Sequence, residues 1–207
     1  MNVRKHISTI LIVITAFSSI SIPDHIYAGS KEYPKLNIPN AISKRYGDSD
    51  FYILKKKASK YDYKFNSSNR SIVTINKNTG YCVLKGPGAC VITVRVKDAE
   101  KAHPLKCRIN LTVTPGIVKK VSAIKKKGQI LNMNWKQEKK NSGYEIEISN
   151  NKTFLTILTS KTVHTGQAHS ANFKLKTKLF NNYVRIRGYK MTNGKKIYGP
   201  YSIVRIK

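Results

Sequence analysis

The side chains best suited to recognition cluster toward the C-terminal end, in the run Tyr183-Val184-Arg185-Ile186-Arg187-Gly188-Tyr189. Alternate residues of an extended strand share a face, so Tyr183, Arg185, Arg187 and Tyr189 would line one exposed side while Val184, Ile186 and Gly188 point inward. Aromatic rings beside guanidinium groups can stack on sugar rings or bases and pair with anions. A second run, Tyr144-Glu145-Ile146-Glu147-Ile148, alternates in the same way. Its two carboxylates could instead neutralise the arginines across a strand pair. The same residues therefore describe either a candidate ligand face or a cross-strand ion-pair ladder.

Bond-making chemistry has little to work with. The chain holds only 10 acids and 5 histidines. His164 and His169 share a polar segment, but their spacing matches no standard ligand set, which leaves them as loop histidines and predicts no metal site. No paired carboxylates flank a cleft signal, no glycine loop is built to cradle phosphate, and no nucleophile elbow occurs. The expectation is a protein that is not an enzyme, with no catalytic residue and no cofactor.

The elements that must position these residues are strands. Cys90-Val91-Ile92-Thr93-Val94-Arg95-Val96 and Cys107-Arg108-Ile109-Asn110-Leu111-Thr112-Val113 are apolar at every second position, the signature of a strand half buried against a core. If the segment between them is a hairpin running from Val96 to Leu105, Cys107 falls opposite Val96. Asn78-Thr79-Gly80 and Gly86-Pro87-Gly88 punctuate the strands before them, and Asn193-Gly194 between two alternating runs is a strong hairpin signal. The pattern breaks at Pro115. It predicts an all-β fold of two small sandwiches in tandem, with blocks at 29–114 and 115–207.

Specific residues carry two resemblances. Tyr46-Gly47-Asp48 with Phe51, Tyr63 to Asn69, Ile72-Val73-Thr74-Ile75, Gly80 and Gly86 to Val94 resemble a bacterial Ig-like domain, over about seventy residues and in the motif order of that family. The resemblance implies a seven-stranded Greek-key sandwich acting as a spacer or adhesive module, without an active site. It also implies that Cys82 and Cys90 stand on strands of opposite sheets. There they are either a candidate disulfide across the Gly86-Pro87-Gly88 corner or, with Cys107, buried thiols packed as small hydrophobes.

The later block is similar to a fibronectin type III domain over nearly its full length. Trp135, Gly143-Tyr144-Glu145-Ile146, Val184-Arg185-Ile186-Arg187 and Tyr198-Gly199-Pro200-Tyr201-Ser202 carry that resemblance. It implies that Trp135 is the central core aromatic. It would also place a corner tyrosine where this chain has Asn182.

The first residues have the layout of a secretory signal peptide. Arg4 and Lys5 precede an apolar run from Ile10 to Ile22, then Pro23 and a candidate cleavage after Ala28, giving a leader of 1–28. Removing it leaves almost all of the +29 net charge on the remaining chain. So large an excess attracts polyanions in a salt-dependent way and says nothing about fold. The bases are spread over both blocks, which argues against one dedicated basic site. The expectation is a secreted or wall-associated monomer with no transmembrane span after cleavage. It would serve adhesion or display, with anionic cell-wall polymers, glycans or another surface protein as partners. A specific carbohydrate-binding module and non-specific extracellular nucleic-acid binding are the alternatives.

Overall fold

Period-two burial organises the chain from Ala41 onward. A computed structural model describes residues 37–58, 61–98, 104–175 and 182–207. The expected leader at 1–28 lies outside the described residues. Apart from one short turn of 3-10 helix, the regular structure of the described residues is all strand, arranged as two tandem β-sandwiches. No helix among them is long and apolar enough to cross a membrane.

The first sandwich contains β1 (Ala41–Arg45), β2 (Phe51–Tyr52), β3 (Tyr61–Ser67), β4 (Val73–Ile75), β5 (Tyr81–Leu84), β6 (Gly88–Asp98) and β7 (Leu105–Thr114). One sheet has the order β1-β7-β6-β3 and the other β2-β5-β4. Strand β1 runs parallel to β7, and the remaining pairs are antiparallel. In β3 the residues Tyr61, Tyr63, Phe65 and Ser67 are buried while Asp62, Lys64 and Asn66 are exposed. Ile92, Val94 and Val96 of β6 and Ile109, Leu111 and Val113 of β7 complete that sheet's inner face, each at 0% exposure. Burying one such side chain contributes roughly 1.5–3 kcal/mol, so the ladder is held by its apolar face more than by any single pair.

The second sandwich contains β8 (Ser122–Lys126), β9 (Ile130–Asn134), β10 (Gly143–Ser149), β11 (Ile157–Val163), β12 (Ser170–Lys174), β13 (Tyr183–Thr192), β14 (Lys195–Tyr198) and β15 (Ser202–Arg205). Its sheets have the orders β12-β9-β8 and β11-β10-β13-β14, with β15 also pairing β13. Asn193 and Gly194 take φ of 48° and 74°, the left-handed pair that a two-residue hairpin between β13 and β14 requires. Trp135 lies in this core at 4% exposure, its ring 5.2 Å from that of Tyr144. Asn182 is also buried, and its carbonyl accepts the Ile206 N–H at 2.9 Å. The two cores share no residue.

The sandwiches meet within one compact unit. The Tyr46 N–H donates to the Thr114 carbonyl at 2.8 Å, fastening the end of β1 to the linker. Lys140 then reaches from the second sandwich into the first. Its ammonium donates to Tyr46 Oη at 2.8 Å and to the Lys85 carbonyl, and lies 4.8 Å from the Tyr46 ring centre.

The cysteines bear on a pairing left open by the sequence and correct a register. Cys82, Cys90 and Cys107 are all free, so no bridge joins Cys82 to Cys90. Cys82 and Cys90 do stand on opposite sheets of one core, but each thiol is engaged elsewhere. Cys82 Sγ donates to the Gly80 carbonyl at 3.7 Å, and Cys90 Sγ lies 4.0 Å from Ser67 Oγ. Burial, with a smaller effect from Cys90, pushes the Cys82 thiol up to about 12. A protonated thiol is a poor nucleophile and metal ligand, so these groups behave as small core hydrophobes. Cys107 pairs with Val94, because β6 and β7 stay in register past Val96, which faces Leu105. Alkylation of unreduced protein in denaturant should therefore modify all three cysteines, read by mass. A product carrying a single modification would establish a bridge and overturn this packing.

Candidate functional site

The residues singled out for recognition come together on the outer face of the sheet β11-β10-β13-β14. The register of β10 against β13 sets Glu145 opposite Arg187 and Glu147 opposite Arg185. Arg187 donates from Nη2 to Glu145 Oε2 at 2.9 Å, and Arg185 donates from Nε to Glu147 Oε2. Glu145 accepts two more bonds at Oε1, from Lys196 Nζ at 2.9 Å and Tyr198 Oη at 2.7 Å. Tyr201 Oη donates to Glu147 Oε2 at 3.3 Å. Each carboxylate thus gathers donors from more than one element.

Aromatic rings close over the guanidinium groups. Arg187 lies 3.7 Å from the Tyr198 ring centre and 4.5 Å from that of Tyr201. Arg185 lies 4.1 Å from Tyr201 and 4.6 Å from Phe154. Phe154 adopts φ of 56°, a left-handed conformation that costs an L-residue roughly 1–2 kcal/mol. The turn that holds it there is tied by Asn151, whose Oδ1 accepts from Thr153 Oγ1 and the Leu155 N–H. Contacts between cations and aromatic faces contribute about 0.5–2 kcal/mol each when partly desolvated, which offsets a strain of that size.

Tyr189 requires a correction. Its ring is 2% exposed and so does not belong to an open face. Across the ladder stands Gly143, where a Cβ would come within 2.6 Å of Tyr189 Oη. The tyrosine ring occupies the space that glycine leaves empty, Lys196 covers it at 4.6 Å, and its hydroxyl lies 3.3 Å from His164 Nδ1. Tyr183 stays half-buried at the other end of the ladder, opposite Ser149 and Arg205. Arg185 and Arg187 keep only 23% and 24% of their side-chain surface exposed. A sugar or base would find the rings already stacked on this protein's own cations. The arrangement acts as an internal brace between β10, β13 and the final strands.

The other groups weighed for chemistry stay apart. The His169 carbonyl accepts the Trp135 N–H at 2.9 Å, while His164 faces Tyr189. Among the described residues no three His, Cys, Asp or Glu side chains gather as a metal site would require. A groove of about 430 Å³ at the junction is lined by residues including Arg45, Asp48, Lys119, Lys136 and Glu138. Arg45 and Asp48 there already pair with each other at 3.3 Å.

A different face went unnoticed in the sequence. On the outer side of the sheet β1-β7-β6-β3, the register places Lys64 opposite Arg95 and Arg95 opposite Lys106. Thr93 stands between Asn66 and Arg108 in the next row, and Lys97 faces Asp62. All five bases are exposed. The signal was present in the two plainest alternating runs, whose intervening positions include Arg95 and Arg108. Summing charge over whole blocks concealed it.

The brace has a testable pH signature. Burial raises the Glu145 carboxyl, but hydrogen bonds from Lys196, Tyr198 and Arg187 outweigh that and hold it below the ordinary carboxylate value. Because the folded value is the lower one, this stabilisation is complete above the ordinary value and is lost as pH falls through the folded one. Glu145→Gln should lower stability in urea at neutral pH by about 1–2 kcal/mol. The gap should close in acid; an undiminished gap below about pH 3 would contradict the ion-pair account.

Among solved structures, the chain is similar to the FN1–FN3 domains of chicken CNTN1, at 17% identity over 72% of this chain and 57% of that one, with a TM-score of 0.34. It therefore spans little more than half the length of that segment. It is also similar to an Fn3-like protein from Clostridium thermocellum, at 14% identity over 44% of this chain and 91% of that one, with a TM-score of 0.32. A two-domain fibronectin type III segment from chicken tenascin aligns at 14% identity over 73% of this chain and 87% of that one, with a TM-score of 0.47. No protein-family model and no curated protein matches the chain.

Proposed function

We propose that this chain is a non-catalytic adhesion or display protein, exported by the leader at 1–28 and held at anionic cell-surface polymers by its positive charge. In this reading an immunoglobulin-like module at 29–114 precedes a fibronectin type III-like module at 115–207. The pair works by presenting surfaces, with no bond made or broken.

The observation that carries the reading is charge left over after internal pairing. Lys and Arg number 39 against 10 Asp and Glu. Asp48, Asp62, Glu145 and Glu147 are each already paired with a basic side chain of this protein. Most Lys and Arg among the described residues are exposed, where a surplus of positive charge raises the local concentration of any polyanion. The covered rings around Arg185 and Arg187 make a sugar-stacking module the weaker alternative.

Mature protein should be captured on isolated anionic wall polymer and on DNA at low salt. Capture should fall steeply between about 50 and 200 mM salt, as release of bound counterions dictates. Capture by a neutral glycan that persists at high salt would show a shaped sugar site and overturn the proposal.

A further inference from the structure

The outer face of the sheet β1-β7-β6-β3 presents a row of like charges directly across from one another, Lys64, Arg95 and Lys106. Arg108 lies one row further along β7, and Lys97 extends the patch along β6. Like charges at directly opposed positions destabilise a sheet. Asp62 meets Lys64 at 3.2 Å, with both side chains more than half exposed. Outside the backbone ladders, the side chains of Arg95, Lys97, Lys106 and Arg108 make no ion pair or hydrogen bond with the described residues. The neighbouring brace shows that this fold can place carboxylates opposite arginines. Here it does not.

We propose that this face docks a linear phosphodiester polymer, gripped through its backbone charges by Lys64, Arg95, Lys97, Lys106 and Arg108. The proposal rests on the charge-retention reading and gives it a location and an occupant. Neighbouring strands lie about 4.8 Å apart, and same-face residues on one strand lie about 6.6–6.8 Å apart. The bases thus form a lattice on which successive phosphates can each bridge two cations, turning repulsion between strands into attraction through a shared anion. The guanidinium forks of Arg95 and Arg108 match the paired non-bridging oxygens of a phosphate.

What the face lacks narrows the occupant further. The outward positions are Ala41, Ser43 and Arg45 on β1, Asp62, Lys64 and Asn66 on β3, Ala89, Val91, Thr93, Arg95 and Lys97 on β6, and Lys106, Arg108, Asn110 and Thr112 on β7. None is aromatic, so bases and sugar rings have nothing to stack on, and recognition falls to backbone charge. Its apolar side chains are only Ala41, Ala89 and the half-buried Val91, whereas interfacial membrane binding draws on buried apolar area as well as charge. Adjacent strands rotate by about 20–25°, a surface that a flexible polyol-phosphate chain follows better than a stiff chain of sugar acids.

The test compares R95Q/K106Q/R108Q with a control of equal charge, K125Q/K126Q/K127Q, whose lysines are exposed on the second sandwich. The probe is poly(glycerol phosphate), titrated at several salt concentrations. The face variant should lose at least about tenfold in affinity, and its plot of log affinity against log salt should flatten by about two, since each lost contact removes about 0.7. The control should lose less than about threefold. Removing the mutual repulsion should leave the melting temperature of the face variant at or above that of the unmodified protein, so that a loss of binding is not a loss of fold. Equal losses in the two variants, or none in the face variant, would overturn the site. Equal affinity for a polyuronate of matched charge, or for phosphatidylglycerol vesicles, would overturn the phosphodiester. Failure of the unmodified protein to bind any polyanion would instead sink the retention reading beneath it.

Discussion

A strand that buries one side must expose the other, and in this chain the exposed side has to carry an excess of positive charge. The inner faces are filled in the same way in both sandwiches. Ile92, Val94 and Val96 stand against Ile109, Leu111 and Val113 in the first, and Tyr144, Ile146 and Ile148 against Val184 and Ile186 in the second. Period-two alternation then leaves the intervening residues in rows across each sheet, so a basic residue on one strand is set beside whatever its neighbour presents.

The two sandwiches meet that constraint in opposite ways. In the second, Glu145 and Glu147 fall opposite Arg187 and Arg185, and rings from Phe154, Tyr198 and Tyr201 complete the stack. In the first, the residues beside Arg95 are Lys64 and Lys106. One face is internally paired and closed; the other is largely unpaired and open. With few acids in the chain, their placement decides which surface stays available to an anion. Lys140 holds the two modules together by contacts to Tyr46 and Lys85.

Much of this was legible in the chain itself, and the misses have physical causes. Alternation located the strands, and the hairpin at Asn193-Gly194 was readable because only certain residues tolerate its dihedrals. Parity also placed Glu145 and Glu147 across from the arginines. Parity could not show that Tyr201 and Phe154 would cover Arg185, since these arrive from the connection before β15 and a strained turn. Nor could it show that Gly143 would let Tyr189 sink from the face into contact with its neighbours. The basic row was hidden for a related reason. Arg95 and Arg108 stand in separate strands of the sequence, and only the register of β3, β6 and β7 brings the row together with Lys64 and Lys106. The cysteines mark a further limit, because which way a buried thiol turns depends on packing that no spacing encodes.

Backbone amide shifts recorded as poly(glycerol phosphate) is added test the contrast between the two faces most directly. The account predicts that the largest movements fall at Lys64, Arg95, Lys106 and Arg108, while Glu145, Arg185 and Arg187 stay in place. Movements centred on residues 183–189, or spread evenly over the exposed lysines of both sandwiches, would contradict it.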